Sequence, residues 1–104
     1  MTSTRAALLK PLYQRKEREI DDVEQPFVDY AISRGWLCEK VISQSRRGWP
    51  DRLLIRRSRV VFAEFKRDGE TPTPQQIKRH ADIRRQGGEV VWFDNLDKAK
   101  EFFK

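Results

Sequence analysis

The chain has 104 residues, a formal net charge of +6 and an isoelectric point of about 9.8. This length allows one domain, and the basic balance favours a polyanionic partner without indicating any particular fold. The single cysteine excludes an intramolecular disulfide, and one His with one Cys cannot supply the four ligands of a zinc site. No apolar run is long enough for a secretory signal or a membrane span, so we expect a cytoplasmic protein that does not contact membranes.

The N-terminal third of the chain divides into a basic arm and a helix. Residues 1–19 carry an excess of Lys and Arg, and we expect an arm that reaches DNA or a partner subunit, with a frayed terminus as the equal alternative. A single domain is then predicted over residues 20–104. Ile20 to Gly35 is predicted to be helical because apolar residues recur at three- and four-residue spacing. Glu24 lies at the border of the apolar face, where its side chain can point into a cleft or interact with the helix dipole.

Three strands are predicted after this helix. They are Leu37 to Ile42, Arg52 to Arg56 and Arg59 to Phe65, because β-branched and aromatic residues are frequent there and turn residues bound each run. A polar loop at 43–50 separates the first two strands, and Arg57-Ser58 joins the last two. The third strand is apolar on both faces, which is typical of a strand near the centre of a covered sheet.

An acidic pair faces across the predicted hairpin. If the turn is centred between Arg57 and Ser58, residues whose numbers sum to 115 lie opposite each other, as Asp51 and Glu64 do. Their Cβ atoms would be about 5 Å apart, and two like charges at that distance destabilise a sheet unless a shared cation removes the repulsion. Lys66 follows Glu64 by two residues and falls on the same face by alternation. We therefore predict a compact hydrolytic centre of two carboxylates and a lysine.

A second helix is predicted to begin after a strong capping signal. Thr73 is a good N-cap, Pro74 fits the first helical position and Gln76 the third. The helix should run to about Gln86, where Gly87-Gly88 ends it. Gln76 is also the residue expected in a capping box, which would need no catalysis. His80, one turn further along, is interpreted as a half-buried helix residue and is left out of the predicted catalytic set.

A fourth strand and a short last helix complete the predicted order. Glu89 to Phe93 has the composition of a strand, and Asp94 or Asn95 is expected to cap the helix that follows. An apolar stripe on this helix consists of Leu96, Ala99, Phe102 and Phe103. The predicted order is helix, three strands, helix, strand, helix, in one α/β domain.

Positive charge is concentrated around Asp51. Between positions 46 and 59, six arginines and one acid give a formal charge of +5: Arg46, Arg47, Arg52, Arg56, Arg57 and Arg59 against Asp51. The arginine fork binds two phosphate oxygens at once, so the cluster favours nucleic acid, although any single arginine fits a solvated strand edge equally well. The expected DNA contacts are Arg46, Arg47, Trp49, Arg52, Lys78 and Arg79. Trp49 can stack on a base or pack against the ring of Pro50.

The residues and the element order together resemble the PD-(D/E)xK nuclease superfamily, and within it the stand-alone VRR-NUC domains. The resemblance covers roughly residues 22–93. It rests on four features in order: helix-borne Glu24, Gly48-Trp49-Pro50-Asp51 entering the second strand, Glu64-Phe65-Lys66 in the third, and Thr73-Pro74-Gln75-Gln76 opening the next helix. Each motif is common by chance, and the specificity comes from their combination. Gln75 and Gln76 both fit the family glutamine, and Gln76 is preferred because it lies three residues after Thr73.

The resemblance implies a restriction-endonuclease-like αβββαβ core, with a central mixed sheet flanked by helices and an extra C-terminal helix. It also implies phosphodiester hydrolysis with Mg²⁺ or Mn²⁺. Asp51, Glu64 and the backbone carbonyl of Phe65 would hold the metal, because hard cations prefer oxygen ligands. Glu24 would bind a second ion or a metal-bound water. Lys66 would act as a base toward the attacking water or as an electrostatic clamp, and Gln76 completes the expected catalytic set.

The resemblance further implies a homodimer that resolves branched DNA such as Holliday junctions, in a phage setting and thus in the host cytoplasm. A two-fold dimer suits paired cuts in two symmetric strands. The sequence contains no recognition-helix or zinc-finger motif, so binding should depend on phosphate contacts. The alternatives are a flap or nicking nuclease, or a non-catalytic basic DNA-binding module. The intact set of Asp51, Glu64 and Lys66 argues against the last of these.

Overall fold

The first helix is shorter than predicted. The computed structural model of the protein describes residues 23–44 and 46–104, so the predicted arm at 1–19 lies outside the described residues. Helix α1 spans Glu24–Ser33. It ends before the predicted stop because Gly35 adopts a φ of 88°, a left-handed conformation that glycine accepts without a Cβ clash. The N–H of Trp36 turns back to the carbonyl of Ala31 and closes this end of the helix.

The four strands form one mixed sheet. They are β1 (Leu37–Lys40), β2 (Arg52–Arg56), β3 (Arg59–Phe65) and β4 (Glu89–Phe93), in that spatial order. The first three are antiparallel, and β4 pairs parallel to β3 after the crossover through helix α2 (Pro74–Arg85). A parallel pair needs such a crossover, so this connection places α2 on one face of the sheet. The predicted mixed α/β sheet is confirmed.

The hairpin register agrees with the sequence prediction. Arg52 lies opposite Ala63 and Leu53 opposite Phe62, so paired numbers sum to 115. Arg57 and Ser58 have φ of 50° and 70°, and two successive positive φ values define the tight turn that matches strand twist.

Strand β1 is two residues shorter than the predicted Leu37 to Ile42. It ends at Lys40 because its partner β2 begins at Arg52, which is the residue opposite Lys40. One further bond, from the N–H of Val41 to the carbonyl of Asp51, continues the ladder to the edge of the candidate site.

Helices α1 and α3 (Leu96–Phe102) cover one face of the sheet, where the core lies. Seven residues of this core have no exposed surface: Phe27, Ala31, Leu54, Val61, Ala63, Ala99 and Phe103. The indole N–H of Trp36 donates to the carbonyl of Phe103 over 2.9 Å, so the end of the chain is tied to the core. Asn95 caps α3, and its aromatic stripe packs inside the chain.

Helix α2 covers the opposite face of β3. Phe62 and Glu64 point away from the core because they alternate with the core residues Val61 and Ala63. The predicted capping box is present at the start of α2: Thr73 accepts from the N–H of Gln76, and the Gln76 side chain accepts from the N–H of Thr73. No helix in the described ranges is long and apolar enough to cross a membrane.

Candidate active site

A cleft of about 200 Å³ opens at the edge of the sheet where β2 begins and β3 ends. Its walls come from the start of α1, the residue before β2, and the segment that follows β3. The lining residues are Val23, Glu24, Asp51, Phe65, Lys66, Arg67 and Glu70. Three of the five predicted catalytic residues, Glu24, Asp51 and Lys66, thus line one cavity, and the other two lie directly behind it.

Asp51 is fixed by the backbone of the neighbouring strand. Its Oδ2 accepts a hydrogen bond from the N–H of Phe65 over 2.8 Å. The hairpin register places Glu64, the residue before Phe65, next to Asp51, and the Asp51 charge contributes to the raised pKa of Glu64. The two carboxylates therefore lie together as the register predicts, and the charge of Asp51 increases the cost of ionising Glu64.

Glu64 is a buried carboxyl with only 1% of its surface exposed. Burial, followed by the charge of Asp51, raises its pKa to about 8, while the ammonium of Lys66 opposes the rise. Lys66 Nζ lies 3.9 Å from Glu64 Oε2, so the predicted carboxylate and lysine do meet on one side of the strand. A proton or a cation at this position would remove the repulsion between Asp51 and Glu64.

Gln76 serves the helix and the site together. Its Oε1 accepts from the N–H of Thr73 over 2.9 Å, while its Nε2 donates to Glu64 Oε2 over 3.0 Å. The two interpretations of this residue are therefore compatible, because the amide uses its oxygen for the cap and its nitrogen for the carboxylate. Gln75 is exposed, and its carbonyl lies against Gly48. The geometry favours Gln76 as the family glutamine.

Glu24 reaches the cleft but is already paired. Its Oε2 accepts from Nε of Arg52 over 2.7 Å, and both side chains are largely buried. Burial raises the pKa of Glu24, and the hydrogen bond from Arg52 opposes this rise. Arg52 was expected to contact DNA; instead its guanidinium turns inward and neutralises Glu24.

His80 was not among the predicted catalytic residues, but the structure places it beside Glu64. It is 3% exposed, and its Nε2 lies 3.7 Å from Glu64 Oε1. Burial, and then the charges of Arg84 and Lys66, lower its pKa, so the imidazole is neutral at pH 7. The signal was present in the sequence, because His80 follows Gln76 by four residues and therefore shares its helical face.

The donor set fits a hard divalent cation. Glu64 Oε1 is buried and has no hydrogen-bond partner among the described residues, a costly state for a carboxylate oxygen. Asp51 and Glu64 supply hard oxygen ligands of the kind that Mg²⁺ and Mn²⁺ prefer. The described part of the chain contains no cluster of three or more His, Cys, Asp or Glu side chains suited to a metal. The fit is therefore to two carboxylates supplemented by backbone oxygen and water.

The predicted DNA contacts fall into two groups, which are exposed side chains and side chains that pack against other residues. Arg46, Arg47 and Lys78 are exposed near the loop that leads to Asp51 or on the adjacent helix α2. Trp49 packs on the ring of Phe62, with centroids 5.8 Å apart, and the guanidinium of Arg79 lies 5.7 Å from the Trp49 ring. Arg79 also pairs with Asp82 over 2.9 Å. Trp49 is thus mainly a packing residue with one partly accessible side.

The arginine cluster does not surround the site as its sequence positions suggested. Arg56, Arg57 and Arg59 lie at the turn end of the hairpin, opposite the end that carries Asp51 and Glu64. Arg56 donates to the carbonyls of Arg34 and Lys104, and Arg59 binds Glu89 over 2.7 Å. The length of β2 therefore separates these arginines from the cleft.

The site and the fold together define a nuclease of the restriction-endonuclease-like class. No family model matches the chain. A curated protein named "Putative nuclease p44", from Acyrthosiphon pisum secondary endosymbiont phage 1, is 36% identical over 78 residues, which cover 74% of this chain and 84% of that protein. A solved structure described as a VRR_NUC domain superposes with a TM-score of 0.64 at 26% identity, over 74% of this chain and 89% of its own.

These similarities agree with the geometry of Asp51, Glu64 and Lys66 in identifying the class. The protein belongs to the VRR-NUC family of nuclease domains.

Proposed function

We propose that this nuclease is a Mg²⁺- or Mn²⁺-dependent endonuclease that cuts branched DNA, such as Holliday junctions, as a homodimer. The observation that carries the metal dependence is the buried carboxyl of Glu64, which lies beside Asp51, so that two acidic side chains meet at one position. A divalent cation supplies the missing positive charge at this position. An ion at this position would also activate water for phosphodiester hydrolysis.

Asp51, Glu64 and the carbonyl of Phe65 would hold the cation. When bound, it lowers the pKa of its water and neutralises charge that develops on the phosphate oxygens. The N–H of Phe65 keeps Asp51 oriented toward the cleft, and Gln76 keeps Glu64 in place from the other side. These fixed bonds support catalysis because the ligands are already positioned before the substrate arrives.

Lys66 lines the cleft beside the carboxylates, and its ammonium is positioned to stabilise the negative charge of the transition state. Nζ lies 3.9 Å from Glu64 Oε2, so the ammonium is held at the edge of the proposed metal site. Lys66 therefore acts first as an electrostatic clamp on the scissile phosphate and on the attacking water. Glu24, paired with Arg52, orients a water at the opposite wall rather than binding a second ion tightly.

Structure-selective cutting is proposed because the exposed cations suit contacts to phosphates and the sequence contains no motif that reads base edges. Arg46, Arg47 and Lys78 offer phosphate contacts that carry no sequence information. A junction has two symmetric strands, which two copies related by a two-fold axis can cut.

The test is cleavage of a labelled four-way junction beside a linear duplex and a flap, with Mg²⁺, Mn²⁺ or EDTA. Wild type is compared with Lys66→Ala and with a control, Lys98→Ala. The control removes the same charge from an exposed position of α3. Symmetric, metal-dependent junction cuts that survive in Lys98→Ala and fall at least about 100-fold in Lys66→Ala support the proposal.

Each alternative has its own outcome in this experiment. Metal-dependent cutting of the flap or the duplex alone would replace junction resolution by flap or nicking activity. Salt-sensitive binding without cleavage in either metal would favour a basic DNA-binding module. A strict monomer in solution and on the junction would contradict paired cutting by a homodimer.

A further inference from the structure

His80 is buried behind the candidate metal site and faces a carboxylate oxygen. It lies on α2 one turn after Gln76, so the two side chains reach the same region of β3. Gln76 Nε2 donates to Oε2 of Glu64 over 3.0 Å, and His80 Nε2 lies 3.7 Å from Oε1 of the same carboxyl. Helix α2 therefore presents one nitrogen to each oxygen of Glu64.

The two facing atoms are alike in their burial and in their hydrogen bonding. Glu64 Oε1 and His80 Nε2 are the buried side-chain nitrogen and oxygen atoms without a hydrogen-bond partner in the part of the chain that the structure describes. A buried polar atom left unpaired costs about 1–3 kcal/mol. A shift of less than 1 Å would bring these atoms within hydrogen-bond distance of each other, which is about 3 Å. A hydrogen bond between these two atoms would therefore satisfy both.

The groups around His80 leave this interaction in place. Arg84, Lys66 and Asp51 are the charged groups near the buried imidazole. A neutral imidazole protonated at Nε2 is a donor toward a carboxylate. The side chain is 3% exposed, so water does not compete for the same position.

We propose that His80 is a positioning residue for the metal ligand Glu64, with its Nε2–H holding Oε1 while Gln76 holds Oε2. This inference rests on the proposed role of Glu64 in binding the cation. A carboxylate fixed at both oxygens presents one orientation to the ion, and loss of such an outer partner weakens metal binding by about 10- to 100-fold. His80 acts through Glu64 and does not touch the substrate.

The test measures Mn²⁺ binding without DNA, by the loss of the free-ion electron paramagnetic resonance signal during titration. Wild type is compared with His80→Leu, which removes the donor by replacing the imidazole with an apolar side chain. His80→Gln retains a donor near the position of Nε2, whereas His80→Asn places its amide one bond short. Ile83→Val is the matched control, because it trims a buried residue of the same helix whose side chain lies against Gly88. Melting temperatures are recorded for every variant.

We expect His80→Leu and His80→Asn to weaken Mn²⁺ binding by about 10- to 100-fold, and His80→Gln to stay within about threefold of wild type. Ile83→Val should lower the melting temperature and leave the dissociation constant for Mn²⁺ unchanged. Junction cleavage should recover in His80→Leu when Mn²⁺ is raised, because the loss is in metal affinity.

Wild-type affinity in folded His80→Leu would overturn the inference. If the Leu variant does not fold, equal Mn²⁺ affinities of the Gln and Asn variants would overturn it. A wild-type protein that binds no Mn²⁺ would instead overturn the proposed metal dependence, and this inference with it.

Discussion

At the scale of single residues, the protein places the carboxyl of Glu64 in surroundings that disfavour its charged form. Glu64 is buried, lies beside Asp51 and is contacted by donors on only part of its surface. Its pKa of about 8 means that the metal-free site holds a proton through neutral pH. A cation that binds must displace this proton, so metal affinity and pH are linked.

The first prediction concerns Glu64→Gln in the metal-free protein. The pKa of Glu64 is raised from 4.5 to about 8, so its protonated form is favoured in the folded state. Its contribution to the free energy of unfolding is fully present below pH 4.5 and is lost as the pH rises through about 8. Between these limits, wild type should lose stability relative to Glu64→Gln, by on the order of a few kcal/mol at about 1.4 kcal/mol per pKa unit.

Urea unfolding of both proteins in EDTA, at intervals from pH 4.5 to 8.5, measures this difference. Taking the difference between the two proteins removes the contributions of His80 and Glu24, whose pKa values are also shifted. A difference that is independent of pH would mean that Glu64 ionises normally. Addition of Mn²⁺ should raise the melting temperature of wild type at pH 8 and leave that of Glu64→Gln nearly unchanged.

At the scale of elements, the loop before β2 and the N-terminus of α2 are in close contact. A Cβ added at Gly48 would lie 2.5 Å from the carbonyl oxygen of Gln75, a distance that real atoms do not adopt. The loop therefore approaches the first turn of α2 as closely as its backbone permits. Because Gly48 precedes Asp51 and Gln75 precedes Gln76, this contact sets the spacing between the two halves of the site.

The second prediction compares Gly48→Ala with Gly69→Ala. Both glycines have positive φ, 86° and 85°, so the backbone penalty is shared, but no atom lies within 4 Å of a Cβ at Gly69. We expect Gly69→Ala to cost about 1 kcal/mol and Gly48→Ala to cost about 1–3 kcal/mol more, because overpacking forces the loop and helix apart. Nuclease activity should fall at least about 10-fold in Gly48→Ala alone, since a misplacement of the site is costly for catalysis.

Thermal unfolding and junction cleavage of the two variants provide the measurements. Equal melting temperatures would show that the loop yields without strain. An equal loss of activity in Gly69→Ala would show that the contact of Gly48 with α2 is not what positions the site.

At the scale of the whole molecule, the positive charge has two locations with different surroundings. Arg46 and Arg47 lie in the loop that leads to the cleft, whereas Arg56, Arg57 and Arg59 lie at the far end of the hairpin. Net charge draws DNA to the molecule from any direction. We expect only cations near the cleft to contact the phosphates of a strand in the candidate site.

The third prediction compares Arg47→Ala with Arg57→Ala, which remove equal charge from exposed positions. The logarithm of the DNA association constant falls linearly with the logarithm of salt concentration, with a slope that counts phosphate contacts. Arg47→Ala should reduce this slope by about one and Arg57→Ala by much less. Fluorescence anisotropy with labelled junction DNA and Ca²⁺ in place of Mg²⁺ measures the slope; equal slopes would remove Arg47 from the interface.

The local features of the fold could be predicted from the sequence because near neighbours determine them. The turn at Arg57-Ser58 fixes the hairpin register, and the capping box at Thr73 and Gln76 fixes the start of α2. The register places Asp51 beside Glu64 from local information alone, whereas the capping box fixes only where α2 begins.

Features that depend on distant partners could not be predicted in the same way. Arg52 turns toward Glu24, 28 positions away, because both are largely removed from water and a buried charge requires a partner. His80 faces Glu64 because the crossover brings α2 over β3. Helical spacing indicates which face His80 occupies, but only the packing of α2 on the sheet shows that this face meets Glu64.

The parallel pairing of β3 with β4 has a consequence for the order in which the protein emerges during synthesis. Asp51 and Glu64 are made first, but β3 keeps an open edge until Glu89–Phe93 have been added and α2 has folded back over the sheet. Gln76 and His80 reach Glu64 only through this late step. A nascent chain that lacks these later residues therefore carries Asp51 and Glu64 without the helix that holds Glu64, and the candidate site is assembled only after β4 has been made.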